Sequence, residues 1–386
     1  MVGLADHASH GARSVRVGPP YLNEEPVMHP NRTRLLGLAL AAVVLGLVGS
    51  AEAGPPPRQT PKLFTILPDY CPTPDGMAID PDGNLIVACP NFADQKFPGC
   101  LIKITHQRKI SKWVDVPVLK ETGLACPMGI AFGPDGDIYI CDNQAWKGTK
   151  QGALKGRMLR LRIRDNQVVK TTVVAEGMEH PNGVRVHQGS IYVTESLMTK
   201  VKDPSGLLVS SVYRFGLDDE NVRVTNTLAD KNIVTTFLTQ NRACQYGADG
   251  LDFDKQGNLY VGNFGDGAIH KITFDKQGKA ASNKVWARDP AQLQTTDGII
   301  FDAKGNLYIA DFSANAVAVV TPDGRVRRIA QSPDSDGANG ELDQPGEPIL
   351  FDGKLLLSCF DLVTGPDKVN TKHDWPYTIS MLDPEP

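Results

Sequence analysis

The sequence lacks most of the signatures that would assign it to a familiar catalytic class. There is no G-x-S-x-G elbow, phosphate-binding loop or dinucleotide fingerprint, which argues against covalent serine hydrolases and nucleotide-dependent enzymes. The 7 cysteines include no C-x-x-C pair, so zinc and thioredoxin-like sites have little support. The formal net charge of -4 offers no basic surface, so we expect no nucleic-acid partner.

Long hydrophobic runs are also scarce, and the one that stands out lies near the N-terminus. Residues 35–48 are apolar, follow the charged segment 31–34 and precede Ala51-Glu52-Ala53. This pattern is typical of a cleaved signal peptide, here over residues 1–53. Either Met28 is the true start or the charged region is unusually long. The run is short for a membrane span, although an anchor is the alternative. We expect a periplasmic or secreted protein with no stable membrane anchor after cleavage.

Glycine and proline, by contrast, are plentiful, at 37 and 28 residues, which indicates many turns rather than long helices. A proline-rich linker over 54–61 leads into residues 62–386, which contain one strand-turn-strand unit six times. The units begin at Asp75, Met128, Asn182, Asp249, Asp297 and Glu347. Their starts are 53, 54, 67, 48 and 50 residues apart, a period that suits propeller blades. We therefore predict an all-β fold, a six-bladed β-propeller of four-stranded antiparallel blades.

The sequence also predicts one pair of strands, one disulfide and one ion pair. Strand 62–67 is expected to join strand 377–382 in one blade, which closes the ring and removes its open edges. In an oxidising compartment cysteines pair, and Cys89 with Cys100 is the best local pair. Arg185 and Asp252 occupy equivalent positions in neighbouring blades, which predicts a buried structural ion pair.

The first residue of each unit is expected to lie at one mouth of the central tunnel, because the innermost strand of each blade lines the axis. Four carboxylates and one amide would converge there, and they repel one another unless a cation sits among them. Hard oxygen ligands favour Ca²⁺, with Mg²⁺, Mn²⁺ and Zn²⁺ as alternatives. The structural alternative is that each aspartate only caps the loop into its strand, above all for Asp75 and Asp297.

A second set of polar residues stands about fourteen positions later, where each hairpin returns to the same mouth. These side chains would bind the cation through water, orient its ligands or contact substrate, unless they are merely polar strand ends. They are Asp142, Asn143, Glu195, Asn263 and Asp311.

The segments Pro181-Asn182-Gly183, Ala248-Asp249-Gly250 and 257–261 resemble the senescence-marker/gluconolactonase family. The resemblance is weak over residues 62–383 and strongest over 178–315. It implies a six-bladed propeller with one divalent cation in its tunnel. Many members hydrolyse sugar lactones, and relatives hydrolyse organophosphate fluoridates.

The resemblance also implies metal ligands in this chain. The family holds its cation with a Glu, two Asn and an Asp, and Asn182 and Asp249 match the second Asn and the Asp. Glu347 would supply the Glu from the far end of the chain, by a circular offset of the blades. Met128 stands where the family has its first Asn, a departure from the pattern because a thioether is a poor ligand for a hard cation.

These observations predict a divalent-metal-dependent hydrolase of a lactone or related ester, with a small-molecule substrate. The cation would polarise the carbonyl, with Asp249 or Asp297 as the base. The substrate-contacting candidates are His180, Arg242, Tyr246 and Trp146. The alternative is an exported, non-catalytic propeller of NHL type that binds a ligand or protein partner.

Overall fold

The computed structural model describes residues 58–145, 152–362 and 369–385. The predicted signal peptide and its start at Met28 lie outside the described residues, as does Trp146. Within the described ranges, no helix is long and apolar enough to cross a membrane.

The described residues form six antiparallel sheets, each built around four strands that follow one another in space. In chain order, the first three are β2 (Met77–Ile79), β3 (Leu85–Cys89), β4 (Cys100–Ile104) and β5 (Ile110–Asp115); β6 (Pro127–Phe132), β7 (Ile138–Asp142), β8 (Gly156–Arg164) and β9 (Gln167–Met178); and β10 (Pro181–His187), β11 (Ser190–Glu195), β12 (Leu208–Gly216) and β14 (Ile233–Thr239). The next two are β15 (Ala248–Phe253), β16 (Leu259–Asn263), β17 (Ala268–Phe274) and β18 (Ala280–Arg288); and β19 (Ile299–Phe301), β20 (Leu307–Asp311), β21 (Ala316–Val320) and β22 (Val326–Gln331). The sixth is β23 (Pro345–Phe351), β24 (Lys354–Cys359), β25 (Thr378–Leu382) and β1 (Lys62–Ile66). The predicted six-bladed propeller is confirmed.

Three short elements complete the secondary structure of the described residues. Strand β13 (Val222–Arg223) adds a parallel strand to the outer edge of the second blade, beside β9. One-turn 3₁₀-helices follow β16 and β20, at Phe264–Asp266 and Phe312–Ala314. These helices begin at the mouth where the inner strands start, so they belong to the surroundings of the site.

The recurring hairpin forms because its turn residues satisfy one another. In the fourth blade, Asp254 accepts hydrogen bonds from the backbone amides of Gln256 and Asn258, at 3.0 and 2.9 Å. Gly257 in the same turn has a φ of +80°, which a glycine adopts without strain. The turn therefore joins the two innermost strands of the blade tightly and fixes their register.

The ring closes as predicted. Strand β1 pairs antiparallel with β25, with Lys62 opposite Met381, so the two ends of the propeller share the sixth blade. Inner strand β2 of the first blade also contacts inner strand β23 of the sixth. Blades therefore follow chain order around the axis, and the third and sixth blades lie on opposite sides of the tunnel.

The core lies between neighbouring blades, and strand β3 shows how the sequence builds it. Successive side chains of a strand point to opposite faces. Leu85 and Val87 pack with the sixth blade, while Ile86 and Ala88 pack with the second. Because both faces are covered, the strand is apolar throughout rather than alternating.

The cysteines depart from the sequence prediction. Cys89 and Cys100 are direct cross-strand neighbours on β3 and β4, yet they are free thiols in the structure. Cys71 joins them, and the three sulfurs lie within 4.8 Å of one another in the core between the first and sixth blades. The sequence located the pair correctly but missed its third member, because Cys71 precedes the repeat.

Candidate active site

The inner strands bring the first residues of the six units to one mouth of the tunnel. Each of these residues except Glu347 is followed by a glycine at the closest approach of two blades. A Cβ on Gly183 would lie 2.7 Å from the carbonyl oxygen of Asp249, and one on Gly250 would lie 2.4 Å from that of Asp297. Only glycine tolerates such contacts. The glycine after each of these residues therefore lets neighbouring inner strands come close enough for the unit-starting residues to meet at the mouth.

A cavity of about 450 Å³ opens at this mouth. Five of the six unit-starting residues line it: Asp75, Met128, Asn182, Asp249 and Asp297. The sequence analysis placed all five at this mouth. We call Asp75, Asp249 and Asp297, the three carboxylates among them, the acidic floor.

The acidic floor is electrostatically costly. Burial raises the pKa of Asp75 to about 8, and the neighbouring carboxylate of Glu347 contributes. Burial followed by repulsion from other floor carboxylates raises the pKa of Asp249 and Asp297 well above the usual range. One carboxylate oxygen of Asp75 is buried and accepts no hydrogen bond. A fold that retains such a cluster gains most from a bound cation, since it compensates several charges at once.

Glu347 differs from the other five unit-starting residues in its position and in its partner. It does not belong to the cavity lining, and its Oε1 accepts a hydrogen bond from Nη2 of Arg185 at 2.9 Å. Arg185 comes from the opposite blade, so the pair bridges the tunnel. The predicted partner of Arg185, Asp252, lies farther away, with 3.6 Å between Nε and Oδ1. The ion pair was therefore predicted correctly, but its closer member is Glu347.

A hydrogen-bond network lies on the wall beside Asn182. The amide nitrogen of Asn182 donates to the Tyr246 hydroxyl at 3.2 Å, and this hydroxyl lies 2.9 Å from Nδ1 of His180. The amide nitrogen of Asn143 lies 3.0 Å from the same imidazole atom. Burial lowers the pKa of His180 to about 4, so the ring is neutral near pH 7. The amide nitrogen of Asn182 is held by a hydrogen bond in this network, and its amide oxygen is the atom of this side chain that could coordinate a cation.

The polar residues at the ends of the second strands do not line the cavity, and most of them accept hydrogen bonds from loop backbone amides instead. Asp142 accepts from the backbone amide of Cys126 at 2.7 Å and pairs with Arg157. Asp311 accepts from the backbone amides of Gln294 and Thr295, both at 2.9 Å.

Glu195 and Asn263, at the ends of two further second strands, also accept hydrogen bonds from nearby segments. Glu195 accepts from the backbone amides of Glu179 and His180. Asn263 accepts from the Thr239 hydroxyl at 3.0 Å. The three carboxylates, Asp142, Glu195 and Asp311, each fasten the segment that leads into the inner strand of their own blade, and so they position the floor.

Arg242 lies outside the cavity lining. Its side chain is exposed and donates to the carbonyl oxygen of Ser205 at 2.9 Å. Its neighbours Cys244, Gln245 and Tyr246 do line the cavity. The loop before the fourth inner strand therefore contributes to the site through other residues than the arginine.

The sequence analysis missed the apolar wall above the floor. Phe264, Phe312 and Phe360 line the cavity, and each directly follows the last residue of the second strand in its blade. The signal was present, because aligning the six repeats places these phenylalanines in one column. The sequence prediction used only the polar residues Asn263 and Asp311, which precede the first two of them.

A divalent cation fits the chemistry of the floor. Carboxylate and amide oxygens without thiolates suit Ca²⁺, Mg²⁺ or Mn²⁺, and the orphaned oxygen of Asp75 lacks the partner that a buried carboxylate requires. Within the described ranges, Cys71, Cys89 and Cys100 are the one group of three or more His, Cys, Asp or Glu side chains whose ligand atoms all lie within 4.8 Å. The three floor carboxylates thus do not all come within this distance of one another.

Comparisons with known proteins agree with this architecture. Residues 267–338 match the model of the SMP-30/gluconolactonase/LRE-like region. Similar solved structures include a gluconolactonase from Xanthomonas campestris (17% identity, TM-score 0.53, 86% of this chain and 98% of that chain). The calcium-binding protein regucalcin from Agrobacterium tumefaciens (15%, 0.52, 84% and 94%) and a luciferin-regenerating enzyme (13%, 0.57, 84% and 95%) are also similar. At these identities the likeness shows the fold.

No curated protein sequence matches the chain. The family-model match covers the two outer strands of the fourth blade and the whole fifth blade, so it includes Asp297 but not Asp75, Asn182 or Asp249. Together with the shared propeller, it confirms that this chain resembles the SMP-30/gluconolactonase family.

Proposed function

We propose that this protein is a divalent-cation-dependent hydrolase of a lactone or related ester. The observation that carries the proposal is the acidic floor: three buried carboxylates from different blades converge at the base of one cavity. Asp311 accepts two backbone hydrogen bonds and forms a salt bridge, whereas the pKa values of the floor carboxylates are raised by burial and by mutual repulsion, and one oxygen of Asp75 accepts no hydrogen bond. Buried, mutually repelling carboxylates in a cleft are typical of a functional site.

Asp75, Asp249 and Asn182 are the residues that would hold the cation. Asp75 takes the place that the sequence analysis gave to Glu347, because Glu347 is already neutralised by Arg185. When bound, the cation supplies a Lewis acid that polarises the substrate carbonyl and stabilises negative charge on its oxygen. The floor composition favours Ca²⁺ among the hard cations.

Asp297 is the proposed base. Its carboxylate lies on the floor beside Asp249, and repulsion from Asp249 and Asp75 adds to burial in raising its pKa. A carboxylate with a raised pKa accepts a proton from an attacking water more readily than an ordinary aspartate does. Asp249 is the second candidate for this role. Neutral His180 and Tyr246 hold the amide of Asn182 in a fixed orientation.

The proposal includes export to the periplasm or full secretion. It rests on the charged segment, apolar run and small residues that precede residue 54. Immunoblotting of culture medium, periplasm and cytoplasm should find a shortened chain outside the cytoplasm. A full-length chain confined to the cytoplasm would contradict export without affecting the hydrolase proposal.

Base uptake during hydrolysis of a lactone panel tests the activity. Chelator-treated wild-type protein should be inactive and should recover when Ca²⁺ is returned. Asp249→Asn and Asp297→Asn should lose at least about 100-fold in kcat/KM, as expected when a ligand or base is removed. Asp82→Asn, a matched change in an exposed turn of the first blade, should retain full activity. Equal rates for all proteins with and without chelator would refute the proposal and favour a non-catalytic binding propeller.

A further inference from the structure

Three consecutive blades carry a phenylalanine at the same position above the acidic floor. Phe264, Phe312 and Phe360 follow strands β16, β20 and β24, respectively, and we call them the phenyl wall. The ring centroids of Phe264 and Phe312 are 5.8 Å apart, and those of Phe312 and Phe360 are 5.9 Å apart. The rings therefore form a continuous curved surface along half of the ring of blades.

The rest of the described lining extends this apolar character. Met128, Ala145 and Leu197 face the same cavity from the second and third blades. Apart from the floor and Asn182, the described polar lining residues are His180, Cys244, Gln245 and Tyr246. The cavity thus combines an apolar wall with a small set of polar groups at its base, the usual composition of a small-molecule site.

Two of these polar residues are already engaged by the protein. The amide nitrogen of Gln245 donates to the carbonyl oxygens of Thr239 and Asn241, at 3.0 and 2.8 Å. Its amide oxygen accepts from the backbone amide of Leu208 at 2.7 Å. The Tyr246 hydroxyl contacts both His180 and Asn182. A substrate hydroxyl that pairs with Gln245 or Tyr246 would therefore have to displace these bonds.

Resting on the hydrolase function proposed above, we infer that the substrate is a lactone or ester with an aromatic or alkyl body, and that polyhydroxylated sugar lactones are poor substrates. The reacting carbonyl would face the floor while the apolar body packs against the phenyl wall. Burying apolar surface there is favourable, since the rings offer edge and face contacts. Burying several hydroxyl groups against the same rings is unfavourable, because each loses its hydrogen bonds to water.

The test compares an aromatic lactone with a sugar lactone on the Ca²⁺-loaded protein. The probes are dihydrocoumarin and δ-gluconolactone, and binding without turnover is measured by calorimetry with their lactam analogues. We expect dihydrocoumarin to exceed δ-gluconolactone by at least about tenfold in kcat/KM, and its lactam to bind tighter by a similar factor, the discrimination that an apolar pocket achieves.

The variants are Phe312→Gln and Phe312→Leu, with Phe301→Leu as the control. Phe312 lies in the middle of the phenyl wall, and Phe301 lies at the far end of the inner strand of the same blade, packed on Tyr260 at 4.8 Å. Phe312→Gln should reduce the ratio of kcat/KM for dihydrocoumarin over δ-gluconolactone by about fivefold or more, because the new amide can form hydrogen bonds with a polar substrate. Phe312→Leu, which keeps an apolar surface, should retain most of the preference, and Phe301→Leu should retain all of it.

The outcomes separate this inference from the function on which it rests. Hydrolysis that favours δ-gluconolactone would overturn the inference and leave the hydrolase proposal intact. Tighter binding of the aromatic lactam without any turnover would support the inference and overturn the hydrolase proposal. Failure of both lactams to bind, or equal effects of Phe312→Gln and Phe301→Leu, would overturn the inference.

Discussion

Replacing Glu347 with glutamine should destabilise the propeller while leaving its cation site largely intact. The change removes one partner of a buried pair and keeps the shape of the side chain. Arg185 would retain only the longer contact with Asp252 at 3.6 Å. A hydrogen bond between charged groups contributes about 1.5–3 kcal/mol, and stranding a buried charge adds to this loss. We expect the free energy of unfolding to fall by about 2–4 kcal/mol.

The corresponding change in melting temperature can be estimated from chain size. For a propeller of about 320 residues, an unfolding entropy near 2.1 cal/mol/K per residue converts this loss to a drop of about 3–6 °C. Thermal unfolding in chelator measures it without a contribution from cation binding. Arg185→Met combined with Glu347→Leu should recover most of the stability, because an apolar pair of similar volume replaces a buried ion pair with little penalty.

A calcium titration of the same variant separates the two roles of Glu347. If the glutamate is structural, Glu347→Gln should bind Ca²⁺ within about threefold of the wild type, since every proposed ligand is kept. An unchanged melting temperature together with abolished calcium binding would refute this reasoning. It would instead support the ligand role that the sequence resemblance assigned to Glu347.

Three further predictions concern other parts of the chain. Burial raises the pKa of Asp343 to about 8, and nearby Asp361 contributes, so wild-type stability should fall as the pH rises from about 4 to about 8. Asp343→Asn should be as stable as wild type at pH 4 and more stable at pH 9, by up to about 5 kcal/mol at 1.36 kcal/mol per pKa unit. A stability difference in urea unfolding that does not change across this pH range would contradict the assignment. Asp311→Ala should lower the free energy of unfolding in urea by about 3–5 kcal/mol, because it removes the acceptor of two backbone amides and of Arg328. The exposed control Asp323→Ala should leave the stability unchanged. Ellman's reagent should label the buried thiols Cys71, Cys89 and Cys100 only after unfolding in guanidinium, and a pair of them that stays unlabelled there would show that a disulfide exists.

The repeats were sufficient to predict the architecture. Each unit carries its own hairpin turn and its own apolar strands, so blade number, strand order and ring closure follow from local patterns. The unit-starting residues were also predicted to lie together, because a propeller places equivalent positions at one mouth. Five of them line the cavity, from Asp75 to Asp297.

What the sequence did not predict depends on contacts between blades. Glu347 pairs with Arg185 across the tunnel, and no spacing in the sequence relates opposite blades. Cys71 reaches Cys89 and Cys100 because the segment before the first unit folds against it. The polar strand ends, such as Asp311, were expected near the site, but a carboxylate that binds loop amides and one that faces a cavity look alike in sequence.

The proposed function depends on a divalent cation bound at the acidic floor. Isothermal titration of Ca²⁺ into chelator-treated protein measures this binding, with Mg²⁺, Mn²⁺ and Zn²⁺ as comparisons. We predict one site per chain in the wild type, an affinity at least about 100-fold weaker in Asp75→Asn and in Asp249→Asn, and an unaltered affinity in Asp82→Asn. A wild-type chain that binds none of the four cations, or floor variants that bind as tightly as wild type, would contradict the account.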